Sequence, residues 1–269
     1  MYKQYLLIIV LFFSGVSFAD SLKLGILPYL STATLLKVHN PVAVQLSSEL
    51  GVKVNMVSEP SYDQFLEATK NKKFDFVLTG PTMGALAVLQ SGYQLLVVPG
   101  NKSHAVFVSL KSSPFQDLSN ANSARIALLQ KQSVMSLLAK KKLTETYSLS
   151  DLNLTYSKTH GNALQAVLKG DADIAVMGLH AWRRYNKADK NLLSVIAVSD
   201  NITGIMILAN PDMDKVMVKK AIEALLNLDN TELGAAYYKR SKWLPFRPLT
   251  QQDITTLEPF VGEIHHFKK

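Results

Sequence analysis

No cysteine occurs anywhere in the 269-residue chain, which excludes disulfides, thiolate metal sites and cysteine nucleophiles. Beyond Phe13 no apolar stretch approaches the ~18 residues of a membrane-spanning helix. Catalytic templates are also missing. There is no Gly-x-Ser-x-Gly, no Walker-type phosphate loop, no His-Glu-x-x-His and no His-x-x-x-His spacing. His265-His266 stands near the C-terminus, where exposure is expected rather than ligation. Low-complexity segments and short-period repeats are absent. Acidic residues are few against basic ones, 21 against 29, for a formal net charge of +8. The surplus is scattered. Its densest runs are Lys140-Lys141-Lys142, Arg183-Arg184 and Lys239-Arg240 with Lys242, with little aromatic interleaving. Such runs read as solvated helix faces, not as a nucleic-acid stripe, although a positive field favours capture of an anionic solute. The composition therefore points to no enzyme, no cofactor, no metal and no nucleic-acid partner.

What is present begins with a processing signal. Lys3 precedes the unbroken apolar run Leu6 to Phe13, and Ser17-Phe18-Ala19 places small residues at the −3 and −1 positions of a cut before Asp20. This is the pattern of a secretory signal peptide over residues 1–19. As a helix the apolar run would rise roughly 12 Å, far short of a ~30 Å hydrocarbon core. The expectation is a periplasmic protein of about 250 residues, enough for one large domain or two ordinary lobes. Its hydrophobic content of 48% supports a packed globule.

Two matching segments organise the rest. Asn71-Lys72-Lys73-Phe74-Asp75-Phe76-Val77-Leu78-Thr79-Gly80-Pro81 and Leu168-Lys169-Gly170-Asp171-Ala172-Asp173-Ile174-Ala175-Val176-Met177-Gly178 lie about a hundred residues apart. Each reads as a helix end, a polar turn, Asp, a short apolar strand and a Gly-containing turn into a new helix. Short apolar runs with such punctuation suit strands buried on both faces. Two such units imply two α/β lobes, with a ligand between the helix N-termini that follow the strands.

In the first lobe, strands are expected at 22–27, 52–57, 74–78 and 93–98. Helices alternate with them at 40–50 (Pro41 in the first turn), from Ser61 onward, and from Gly80-Pro81 to Ser91. This βαβαβαβ order is consistent with a parallel sheet. Residues 105–110 read as the crossing into a second lobe. There strands at 125–129, 154–157, 173–177 and 193–198 alternate with helices at 133–143, 161–168 and 179–185. Residues 204–209 read as the return crossing, and the tail as helices at 213–227, 230–240 and 250–260. The first lobe is thus discontinuous, 20–104 plus 205–269, around a second lobe of 105–204, and hinge closure is the natural motion.

Candidate ligand contacts follow from this frame. A helix starting at Thr79-Gly80-Pro81 exposes backbone N–H groups without intrahelical partners, at the positive end of a dipole. Ser133 offers the same arrangement from the other lobe, or serves as a plain N-cap. His160 and His180 fall at helix starts, where each either meets a ligand or packs locally. Tyr29 and Tyr62 follow strand ends, where aromatic faces wall a cleft or simply pack.

These residues carry a family resemblance. Leu24-Gly25-Ile26-Leu27-Pro28-Tyr29, Gly51-Val52-Lys53-Val54, Phe74-Asp75 with Thr79-Gly80-Pro81, Gly92-Tyr93, His160 with Ala163 and Ala166-Val167, Gly170 with Asp173, and Trp243-Leu244-Pro245-Phe246 stand in family order. From about residue 22 to 250 the chain resembles the periplasmic solute-binding proteins of phosphate/phosphite/phosphonate ABC transporters. The resemblance implies the type II periplasmic-binding fold, an α/β architecture of two lobes with the ligand cleft between them. It also implies a monomer that captures a small anionic solute and meets the membrane only through a partner, an ABC permease. A membrane sensor kinase or cyclase is the alternative partner, with a different ligand. A secreted enzyme on the same fold is the third reading.

The resemblance also implies site residues, and departures among them. The aromatic residue that lines the cleft in phosphonate binders is kept as Tyr62, and a His is kept as His160. The Ser-Thr-Ser run that grips the phosphonate oxygens is here Ser133-Val134-Met135. Losing two hydroxyl contacts to an oxyanion costs roughly 3–6 kcal/mol, on the order of 100- to 10,000-fold in affinity. The Glu that suits an aminophosphonate is replaced by His180. A second aromatic position corresponds to His104, and the acid expected near 203–204 is replaced by Thr203-Gly204, with Asp200 close by. The loss of acidic partners argues against an aminophosphonate.

Overall fold

The computed structural model describes residues 21–265; the expected signal peptide lies outside them. Two sheets form the frame. The first contains β1 (Leu22–Ile26), β2 (Val54–Val57), β3 (Phe76–Thr79), β4 (Gln94–Pro99), β10 (Met206–Ala209) and β11 (Phe246–Pro248), in the order β11-β4-β10-β3-β1-β2. The second contains β5 (Ala105–Leu110), β6 (Arg125–Leu128), β7 (Asn153–Tyr156), β8 (Ile174–Gly178) and β9 (Leu193–Val198), in the order β7-β6-β8-β5-β9. The first sheet is layered with α1 (Thr32–Leu50), α2 (Tyr62–Lys70), α3 (Pro81–Ser91), α8 (Lys215–Leu226), α9 (Glu232–Ser241), α10 (Gln251–Thr255) and α11 (Glu258–His265). The second carries α4 (Val134–Leu143), α5 (His160–Lys169), α6 (Leu179–Arg184) and the single turn α7 (Lys187–Lys190).

The two Asp-strand-Gly segments prove to be the same device. Asp75 donates its N–H to the Lys23 carbonyl at 3.0 Å, and its carboxylate accepts the Lys23 N–H at 2.7 Å. Asp173 repeats this with Arg125, at 2.8 Å in each direction, and its carboxylate also takes the Arg125 guanidinium. Each Asp thus pins the start of a parallel neighbour, β1 beside β3 and β6 beside β8. Each strand then leads into a glycine at the N-cap of the following helix: Gly80 before α3 and Gly178 before α6. Buried strands of four or five residues therefore deliver two helix N-termini from opposite lobes.

Several expectations are corrected. Residues 105–110 are not the crossing but a full strand, β5, and of the segment at 204–209 residues 206–209 form strand β10, leaving only Gly204 and Ile205 in the connection. β10 runs antiparallel between β3 and β4, so the first sheet is mixed, and β4 does not continue the parallel set. The crossings are the short stretches before β5 and before β10. They pair with each other through an antiparallel bridge between Ser103 and Ile202, with hydrogen bonds of 2.8 and 2.7 Å. In the tail, β11 was not anticipated. It adds an edge strand beside β4.

The first helix begins at Thr32, so Pro41 lies inside it and not in its first turn. A mid-helix proline removes the N–H that would bond the carbonyl four residues back. That carbonyl belongs to Lys37, and the Arg240 guanidinium of α9 donates to it at 2.7 Å. A distant cation thus satisfies the group the proline orphans. Ser61 caps α2 by accepting from the Gln64 N–H, and Gly92 ends α3 with a φ of 72°.

The main core cluster runs without a break from the first sheet into residues of β6, β8 and α4. The other face of the second sheet packs separately against α5, with Val106, Val108, Ala163, Leu164, Val167 and Met177 buried. The two lobes are therefore in contact.

Candidate functional site

A cavity of about 70 Å³ lies between the lobes. At the ~10–15 Å³ a water-sized group needs, it holds roughly five such groups. The first lobe walls it with Leu27 and Tyr29 after β1, Tyr62 at the start of α2, and Gly80 to Met83 at the start of α3. The second lobe supplies Gln132 to Met135 at the start of α4, His160 at the start of α5, and Gly178, His180, Ala181 and Arg184 from the end of β8 through α6. Ser103, Gly204, Ile205 and Trp243 complete the wall. Helices α3, α4 and α5 all begin at the cavity, so N–H groups that lack intrahelical partners cluster around it.

The sequence-expected residues divide as follows. Tyr29, Tyr62, Gly80, Ser133, His160 and His180 are brought together on the wall. Thr79 stands just behind it, fully buried, with its Oγ1 lacking a hydrogen-bond partner. His104 is not on the wall. Its Nδ1 pairs with Asn201 Oδ1 at 3.0 Å, joining the two crossings. Ser133 caps α4 by accepting from the Met135 N–H at 3.3 Å, so its hydroxyl serves the helix and faces the cavity at once.

His160 is buried, and its Nδ1 accepts the Gly178 N–H at 3.3 Å. The ring proton of the neutral imidazole is thereby placed on Nε2, leaving a donor. Burial, and then the Arg184 charge, push His160 down to about 3, so it is uncharged at neutral pH. Burial and Arg183 likewise push His180 down to about 4, partly opposed by backbone carbonyls of Lys242 and Lys102. Behind Tyr29 runs a chain not foreseen from sequence. Tyr29 Oη meets His39 Nε2 at 2.7 Å, and Tyr237 Oη meets His39 Nδ1 at 3.3 Å. His39 is fully buried, against the Trp243 ring at 5.5 Å. Burial raises the Tyr29 hydroxyl to about 12, with Arg184 opposing. This chain fixes the Tyr29 ring, which stands edge-on to His160 at 6.1 Å.

Arg184 lines the cavity, although the sequence reads it with Arg183 as part of a solvated run. Its Nε donates to the His180 carbonyl at 3.3 Å. The available signal was its i, i+4 relation to His180, which puts both on one helix face. Trp243 was noted only within a longer motif. Across the cleft, Thr82 Oγ1 donates to the Gln132 carbonyl at 3.2 Å, and Gln132 Nε2 to Asp63 at 2.6 Å. These bonds join the two lobes. Among the described residues no cluster of three or more metal-ligating side chains occurs, and no helix is long and apolar enough to cross a membrane.

Two α/β lobes on paired crossings, closed over an interlobe cavity ringed by helix N-termini, define a ligand-capturing protein of the periplasmic-binding class. Residues 24–254 match the family model described as the ABC transporter, phosphonate, periplasmic substrate-binding protein, and the chain belongs to that family. It is a family of transport components, not of enzymes. Among solved structures, the fold is similar to that of PhnD1 from Prochlorococcus marinus (MIT 9301) in complex with methylphosphonate. The identity is 17% over 92% of this chain and 99% of that one, with a TM-score of 0.82. A binding-protein component of an ABC phosphonate transporter from Pseudomonas aeruginosa aligns at 15% identity over 89% and 85% of the two chains, with a TM-score of 0.80. A Xanthomonas citri protein bound to ATP aligns at 15% over 91% and 97%, with a TM-score of 0.71.

Proposed function

We propose that the chain, exported by cleavage after Ala19 and acting as a monomer, captures a small phosphorus oxyanion in the interlobe cavity for an ABC permease. Methylphosphonate is the model ligand. The observation that carries this reading is the cavity itself: three helix N-termini, the Ser133 hydroxyl and a neutral His160 donor surround a space of about 70 Å³. Such a set suits an oxyanion of about five non-hydrogen atoms. A nucleotide such as the ATP of the Xanthomonas protein is far larger than this space.

The test is titration of purified ligand-free protein with methylphosphonate, phosphite and phosphate. At a hundred times Kd, ligand adds ~2.7 kcal/mol, which raises Tm by roughly 5–11 °C for a chain of this size. No shift at millimolar ligand would sink the reading. His160→Phe keeps a ring in place but removes the donor, so Kd for methylphosphonate rises about 10- to 150-fold. An unchanged Kd would place His160 outside the contacts.

Closure contributes to affinity separately. Asp63 does not line the cavity, yet it holds Gln132 across the cleft. Asp63→Ala removes one hydrogen bond from the closed form, worth about 0.5–1.5 kcal/mol. Kd for methylphosphonate is expected to rise about two- to tenfold, with the change in the dissociation rate. Unchanged dissociation would show that this contact does not hold the lobes together.

A further inference from the structure

The charges around the cavity are unequal. Among the described residues, Arg184 is the only Lys, Arg, Asp or Glu on its wall. Elsewhere Arg125 and Arg247 each pair with an aspartate, Asp173 and Asp253. No such partner reaches Arg184 among the described residues, and its one hydrogen bond goes to the neutral His180 carbonyl. Its guanidinium is close enough to act electrostatically on Tyr29, His39 and His160. Two further wall atoms, Gln132 Oε1 and His180 Nδ1, are buried without hydrogen-bond partners. They offer single hydrogen bonds and no negative charge. The remaining surface is largely apolar, with Leu27, Met83, Val134, Met135 and Ile205 on both sides.

We propose that Arg184 is the counter-charge of this site, and that the cavity selects small oxyanions carrying a short apolar group over zwitterions of similar length. This rests on the reading that the interlobe cavity is the ligand site. A ligand anion gains an unpaired guanidinium and the helix N-termini. A short alkyl group meets methionine and aliphatic side chains, which adapt to its shape. An ammonium on the same ligand would instead lose its hydration beside a like charge, with no carboxylate to balance it. Neutral acceptors such as Gln132 Oε1 supply a hydrogen bond but leave the charge uncompensated. The specificity thus comes from a repulsive element as much as an attractive one.

Calorimetric titration of the ligand-free protein with methylphosphonate, ethylphosphonate, 2-aminoethylphosphonate and propionate tests this, on wild type, Arg184→Gln and Arg184→Lys. The unliganded Tm of each variant is recorded as the check on folding. The expected result is that both alkylphosphonates bind and 2-aminoethylphosphonate binds at least tenfold more weakly. Arg184→Gln should lose at least tenfold on the alkyl ligands, about 1.4 kcal/mol, and Arg184→Lys less. Equal or tighter binding of 2-aminoethylphosphonate overturns the proposal and leaves the phosphorus reading standing. So does alkylphosphonate binding that is indifferent to Arg184→Gln and Arg184→Lys. Propionate binding that depends on Arg184, with no phosphonate bound, upholds the counter-charge and overturns the phosphorus reading. Binding of none of the four overturns both.

Discussion

Gly234→Ala is expected to lower the melting temperature by about 6–12 °C or more, or to prevent recovery of folded protein. A β-carbon on Gly234 would sit 1.6 Å from the Leu228 carbonyl oxygen and 2.4 Å from its carbon. These are backbone atoms and cannot swing aside as a side chain can. Leu228 is itself fixed, since its side chain is fully buried. Its carbonyl accepts the Thr231 hydroxyl at 2.7 Å and the Thr231 N–H at 3.2 Å. The same Thr231 hydroxyl caps α9 by accepting the Gly234 N–H at 2.9 Å. Any shift that admits the methyl therefore breaks the cap as well. Overpacking costs typically 1–3 kcal/mol and more when backbone must move, so about 3 kcal/mol is a floor here. For a chain of this size, that is about 6–12 °C. Gly262→Ala is the contrast. Its β-carbon meets nothing within 4 Å, and alanine in a helix gains up to about 1 kcal/mol over glycine. Calorimetry of both variants decides the matter, and a Gly234→Ala protein melting within 2 °C of wild type would refute the argument. The consequence reaches the site, because α9 carries Tyr237, which holds His39, and Arg240, which satisfies Lys37.

That dependence explains what was legible in the sequence. Helix starts at Ser61, Gly80-Pro81, Ser133 and His160 and the stop at Gly92 were readable because capping is local chemistry, settled within four residues. So were the two Asp-strand-Gly units and the wall residues that directly follow them. The start of α1 was not. Its Pro41 is tolerated only because Arg240 sits two hundred residues away in sequence and adjacent in space. Nor was the strand order of the first sheet, since nothing in β3 or β4 announces that β10 will come between them. Short apolar runs at 105–110 and 204–209 look alike whether they cross between lobes or pair within a sheet. Arg184 and His39 were illegible for opposite reasons. One resembles any surface cation, the other any histidine on an apolar face. Only the packing shows that the first lacks an acidic partner and the second has two tyrosine hydroxyls.

Acidification from pH 7 to pH 5 is expected to lower the melting temperature of the ligand-free protein by about 8–16 °C. Burial, with Arg184 adding to it, holds both His39 and His160 down to about 3. In the unfolded chain each returns to about 6.5. Between these values the unfolded state carries a proton that the native state refuses. Unfolding therefore takes up protons, and stability rises with pH and falls as pH drops below 6.5. At pH 5 the cost is set by the unfolded chain alone, about 1.5 pH units at 1.36 kcal/mol each, or roughly 2 kcal/mol per histidine. It is unaffected by where below pH 5 the native groups titrate. His39 and His160 together give about 4 kcal/mol, which corresponds to the stated shift for a chain of this size; the less buried His180, held down to about 4, acts in the same direction. Carboxylates do not confuse this window. The Arg125 hydrogen bonds hold Asp173 below the ordinary range. Asp253 is also held low, its burial outweighed by Arg247 and Thr250. Both lose their stabilising charge only as pH falls below about 4. The His160→Phe variant provides the internal check. With one of these imidazoles gone, its melting temperature should fall about 4–8 °C less over the same interval. A wild-type protein that melts within 2 °C at the two pH values would show that these rings accept protons inside the fold, and that His160 adds a second positive charge to a wall already carrying Arg184.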